Sequence, residues 1–163
     1  MALAEGQEMA AIVGFLERVG IAVRMERIAD KTFLPGLAMR RGVLIVDEEK
    51  LAYVGDLLHE AGHMAVMTAA ERRRCEEDAG ADGGAEMAAI AWSYAAALEI
   101  GLDPAVVFHA DGYKSGGSGI VENFAEGRFI GLPLLQLYGL TTAPGDEAKG
   151  AVVYPKMSRW LRP

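Results

Sequence analysis

Cysteine, histidine, aromatic rings and basic residues are all scarce in this chain. A single cysteine, Cys75, among 163 residues excludes an internal disulfide. It lies in the charged run Arg72-Arg73-Arg74-Cys75-Glu76-Glu77-Asp78, so a solvated thiol in a reducing compartment is expected. Sixteen Lys and Arg stand against 23 Asp and Glu, a net charge of −7, which makes neither nucleic acid nor an anionic membrane an expected partner. No apolar run approaches the ~18 residues of a membrane span without a charge, Gly or Pro. Glu5 and Glu8 near the start, with no basic stretch, are unlike a secretory leader, and a cytoplasmic location is expected. The chain shows no internal repeat, no helix-turn-helix and no linker that would divide it. A 52% hydrophobic fraction with 24% charge excludes wholesale disorder, and one domain over 1–163 is expected.

Periodicity supplies the elements. Met9, Ile12, Val13, Leu16 and Val19 give an amphipathic helix over 7–19 that stops at Gly20. Ile21, Val23 and Met25 alternate with Arg24 and Glu26 as in a half-buried strand. Phe33-Leu34-Pro35-Gly36 marks a turn, and Val43–Val46 is a short apolar strand ending at Asp47. Helical periodicity resumes near Glu49 and runs to about Ala70. Residues 71–84, charged and then Gly-rich, are expected to be a mobile linker. An Ala-dense helix over 85–100 ends at Gly101, and Asp103-Pro104 opens a short one through His109. Residues 111–119 are expected to be a flexible loop, Pro133–Tyr138 a short helix, and Tyr154–Arg162 a basic, amphipathic end. The fold class expected is α+β, with a small antiparallel or mixed sheet.

Against that background His59-Glu60-Ala61-Gly62-His63 carries the chemistry. Two His four apart share one helical face, so both imidazoles can reach one metal ion. Glu60 lies on the neighbouring flank, where it can hold and deprotonate a water at the metal. Leu57, Ala61, Gly62, Met64 and Ala65 are uncharged, as a buried active-site helix requires.

A catalytic zinc site takes three protein ligands as a rule, so a third is needed. Glu86 follows His63 by 23 residues, near the start of the next helix. Small residues at Ala85, Ala88, Ala89 and Ser93 would let that helix approach the first. Asp82 is the main rival ligand, although capping the following helix explains it more simply. His109, the remaining histidine, could complete a three-His site or stabilise an oxyanion. Asp56, one turn before His59, could accept a hydrogen bond from a ligand imidazole. Tyr113 could close over substrate and hydrogen-bond an oxyanion.

With these residues the chain resembles a minimal gluzincin, above all the compact bacterial ImmA/IrrE-type metallopeptidases. The resemblance spans residues ~7–101 and rests on HExxH, the LPG turn, the strand before the motif and the Glu-bearing helix after it. It implies a zincin-like fold, zinc as cofactor, His59, His63 and Glu86 as ligands, and Glu60 as general base. It also implies that Val43–Val46 is the sheet edge along which a peptide substrate extends. Asp56 departs from the pattern, because zincins more often place Val or Thr there. No acid follows Glu86 at Ala89 or Ile90, and residues 102–163 fall outside the resemblance. Members often cleave a partner repressor and can carry a DNA-binding domain, of which this chain has no sign. The expected activity is hydrolysis of a peptide or protein substrate. The alternative is a zincin-like metal-binding domain that holds a partner or ligand without hydrolysis.

Overall fold

The computed structural model describes residues 3, 6–77, 82–113 and 116–163. Among these residues the elements run α1 (Glu8–Val19), β1 (Ala22–Met25), β2 (Leu37–Arg40), β3 (Val43–Val46), α2 (Val54–Val66), α3 (Ala69–Arg74) and β4 (Glu76–Glu77). They continue with α4 (Gly83–Ile100), α5 (Pro104–Val107), α6 (Ser118–Ala125) and α7 (Leu132–Leu137). The sheet is mixed, in the order β1-β3-β2-β4, with β1 parallel to β3 and the other pairs antiparallel. This agrees with the α+β expectation but corrects the edge: β3 is paired on both sides, and the outer strands are β1 and β4. A two-residue hairpin at Arg41-Gly42, both with positive φ, joins β2 to β3.

Alternation on β3 splits its burial between two faces. Leu44 and Val46 enter the main core, while Ile45 turns to the other face and packs with Ile28 and Ala38. The main core draws on Phe15 and Leu16 of α1, Leu57 and Met64 of α2, Trp92 of α4 and Leu135 of α7. Every residue of α2 except Val54 and His59 is buried. Such a helix has no solvated face, which suits an element that carries a site inside the molecule.

The helix expected over 49–70 is shorter and is followed by a second one. Asp47 holds the approach to α2, accepting from the amides of Ile28 and Glu49 through its carboxylate. Thr68 then breaks the run as the N-cap of α3, with a reciprocal capping box to Glu71. Residues 71–77 of the expected mobile linker are therefore ordered as the rest of α3 and as β4. Residues 78–81 of that linker, and 114–115 of the expected loop over 111–119, lie outside the described residues. The end of that loop starts α6. Cys75 is half-buried rather than solvated, with its sulfur 3.7 Å from that of Met39.

The part of the chain beyond residue 102 packs onto the same core. Tyr154 donates to the Ala91 carbonyl at 2.7 Å, and the Trp92 indole donates to the Trp160 carbonyl at 2.9 Å. No helix among the described residues is long and apolar enough to cross a membrane.

Candidate metal centre

Three donors converge where α2 meets the first turn of α4. His63 Nε2 is 2.7 Å from Glu86 Oε2, and His59 Nε2 is 3.3 Å from Glu86 Oε1. One ligand atom from each of the three residues lies within 4.8 Å of the others. The His59/His63/Glu86 group could therefore hold a metal ion. The i, i+4 spacing on α2 puts the two imidazoles on one face, and their rings meet edge to face at 4.9 Å.

Close helix packing brings Glu86 to them. A Cβ added at Gly62 would lie 2.8 Å from the Ala89 carbonyl oxygen and 2.9 Å from Ser93 Oγ, so α2 and α4 nearly touch there. Glu86, one turn before Ala89 on α4, is carried to the histidines by that approach. Hydrogen bonds from His59 and His63 then hold the Glu86 carboxyl far below the usual carboxylate range, outweighing its partial burial.

The donor set suits a divalent metal of borderline softness. Two neutral imidazoles and one carboxylate make three ligands, and a carboxylate already ionised needs no proton removed before it binds. Each imidazole must bind through an unprotonated Nε2, leaving its proton on Nδ1. For His59 that nitrogen has a partner, the Tyr113 hydroxyl at 3.2 Å. His63 Nδ1 is buried without a hydrogen-bond partner among the described residues.

The rivals for the third ligand go elsewhere. Asp82 is the N-cap of α4, its Oδ1 accepting from Gly84 N at 2.7 Å and Ala85 N at 3.1 Å. His109 is drawn to Asp56, Nε2 to Oδ1 at 2.7 Å, away from the three donors. Asp56 thus holds His109 and not a ligand imidazole, while Tyr113 takes the place expected of Asp56. The other nitrogen of His109 is buried with no hydrogen-bond partner among the described residues, and the residue lines the cleft over the three donors. Nothing in the sequence tied residue 56 to residue 109. A hydrogen bond across 53 positions has no local signature.

A cleft of about 890 Å³ opens over the three donors. Phe33, Leu34, Pro35, Ala52 and Tyr53 form an apolar wall, with Tyr113 and Gly112 also in the lining. Glu60 lines the same cleft and is buried, with only 8% of its surface exposed. Phe33, by contrast, is 87% exposed at the cleft. Burial pushes the Tyr113 phenol above its ordinary range, and the Glu86 and Asp56 charges act the same way, so it keeps its proton. Set beside known proteins, the chain matches no family model, no curated protein and no solved structure.

Proposed function

We propose that this protein is a zinc-dependent metallopeptidase of zincin-like fold, a compact gluzincin of the ImmA/IrrE kind. One observation carries the reading. Two imidazoles from the HExxH helix α2 and a carboxylate from α4 converge under a cleft, and the Glu of the motif lines that cleft beside them. His59, His63 and Glu86 hold the ion. A zinc ion so bound supplies Lewis-acid polarisation and makes a water acidic enough to lose a proton near neutral pH.

The protein's own groups do the rest. The Glu60 carboxylate accepts the proton of the attacking water and returns it to the amine nitrogen as the peptide bond breaks. Burial of Glu60 away from bulk solvent keeps that proton in the site. Tyr113 holds the second nitrogen of His59, and the apolar wall from Phe33 to Tyr53 receives substrate side chains.

One feature favours a second reading, a metal-binding module that does not hydrolyse. With β3 paired on both sides, the sheet offers no edge there for an extended peptide. Glu60→Gln separates the two, because glutamine keeps the size of the side chain but cannot take a proton. The wild-type and Gln proteins are loaded with zinc and incubated with cell lysate, and new protein termini are counted. Cleavage lower by about 10²–10⁴ in the variant at equal zinc content is the expected result. Equal numbers of termini from the two zinc-loaded proteins would establish the binding module instead.

A further inference from the structure

Three contacts run from residues 109–113 to α2 and its N-cap. The Tyr53 hydroxyl donates to the Asp111 carboxylate, His109 Nε2 meets Asp56 Oδ1 at 2.7 Å, and the Tyr113 hydroxyl meets His59 Nδ1 at 3.2 Å. The Tyr53 ring also stacks on His109 at 3.8 Å, with the planes 16° apart. Residues 53, 56 and 59 succeed one another by about one helical turn, so the segment follows one face of α2 as a strap. It ends on the first metal-donor histidine.

We infer that Tyr113 is a positioning residue for His59, and that the 109–113 strap couples ion binding to its own seating. The inference rests on the metal-centre reading. Without an ion, Glu86 faces Nε2 of both histidines and takes their protons in hydrogen bonds. His59 Nδ1 then carries the lone pair, and the Tyr113 hydroxyl donates to it. With an ion, Nε2 gives up its lone pair, the proton resides on Nδ1, and the Tyr113 oxygen accepts it. A hydroxyl serves both tautomers, whereas a carboxylate serves only the second. Tyr113 therefore keeps the imidazole oriented through loading and release of the ion. The seat of Tyr113 is fixed in turn by the Asp111 and His109 contacts, which touch no donor. His63 Nδ1 has no such partner among the described residues, and its ring is held by packing and by the Glu86 contact at Nε2.

The test titrates the ion-free full chain with Co²⁺ against a competing chelator, for wild type, Tyr113→Phe and Tyr53→Phe. Phenylalanine keeps the ring contact with Phe108 and loses only the hydroxyl. Tyr113→Phe should bind about 10–100-fold more weakly, with altered visible cobalt bands that a stability effect alone would not produce. Tyr53→Phe should bind about three- to tenfold more weakly with unaltered bands. Amide exchange over residues 109–113 should slow on Co²⁺ addition in wild type and not in Tyr113→Phe. Wild-type affinity and bands in Tyr113→Phe would overturn the inference and leave the metal centre standing. Should Tyr113→Phe fail to fold, wild-type affinity in Tyr53→Phe with no cobalt-dependent exchange change in wild type overturns it equally. A wild-type chain that takes up no Co²⁺ removes the metal centre and the strap together.

Discussion

Gly62→Ala tests how closely the two helices of the metal centre must approach. The new Cβ would stand 2.8 Å from the Ala89 carbonyl oxygen, 2.9 Å from Ser93 Oγ and 3.3 Å from Ala89 Cα. A backbone oxygen cannot rotate out of the way. Ser93 Oγ is itself engaged, donating to that same carbonyl at 2.6 Å. Reaching ordinary contact, 3.4 Å or more, requires α2 and α4 to part by about half an ångström. Overpacking of this kind costs ~1–3 kcal/mol, and the better helix propensity of alanine returns ~1 kcal/mol. The net expectation is a loss of ~1 kcal/mol. Gly14→Ala is the control, since its Cβ would meet only the Arg18 guanidinium at 3.6 Å on α1. That substitution should stabilise by up to ~1 kcal/mol. The same chemical change thus has opposite signs at two helical positions, read by urea unfolding at constant m-value. Because α4 carries Glu86, Gly62→Ala should also weaken Co²⁺ binding by about tenfold. If Gly62→Ala stabilises as much as Gly14→Ala and binds cobalt normally, the close-approach argument is refuted.

His59→Ala and His63→Ala should each abolish stoichiometric zinc uptake, measured by elemental analysis after dialysis. Glu86→Ala should weaken zinc binding strongly. Asp82→Ala should leave affinity near wild type while costing ~1 kcal/mol of stability through the lost cap of α4, and the reverse ranking would place the third ligand at Asp82. Glu86 also predicts an acid limb for the ion-free protein. Its carboxyl is held lower in the folded chain than its unfolded value of 4.5, so it contributes stability above that pH and loses it as the pH falls further. Unfolding midpoints of Glu86→Gln should therefore decline less steeply below about pH 4.5 than those of wild type.

The elements best written in the sequence are those with local signals. The 3.6-residue period and Gly20 mark α1, Asp82 and Gly101 bracket α4, and Asp103-Pro104 opens α5. The HExxH spacing gives two of the three donors outright, and Glu86 follows from the small residues that let α4 approach. β2 escaped notice because three of its four residues are buried and its sequence, Leu-Ala-Met-Arg, shows no alternation. Its hairpin uses Arg-Gly where Asn-Gly would have announced the turn. The break before α3 did have a signature, the Thr68-Ala-Ala-Glu71 capping box, hidden within an otherwise continuous apolar period. Strand order is not a local property, so β3 could be recognised as a strand but not as an interior one. The links from Asp56 to His109 and from His59 to Tyr113 arise only once the chain has folded back.

The last turn of α2 is closed from far along the chain. The Arg162 amide donates to the Ala65 carbonyl at 2.9 Å, its guanidinium donates to the Val66 carbonyl at 3.2 Å, and Arg72 links Met67 to the Arg162 carbonyl. Helix-end carbonyls that water would otherwise solvate are thus satisfied by a residue 96 positions later. During synthesis the two histidines and Glu86 leave the ribosome well before Arg162 does. A nascent chain therefore carries all three candidate donors, and Arg72 beside the end of α2, before Arg162 is there to meet the Ala65 and Val66 carbonyls. The Val66 carbonyl at the end of the histidine-bearing helix thus gains its guanidinium partner only once a residue 96 positions later has been made.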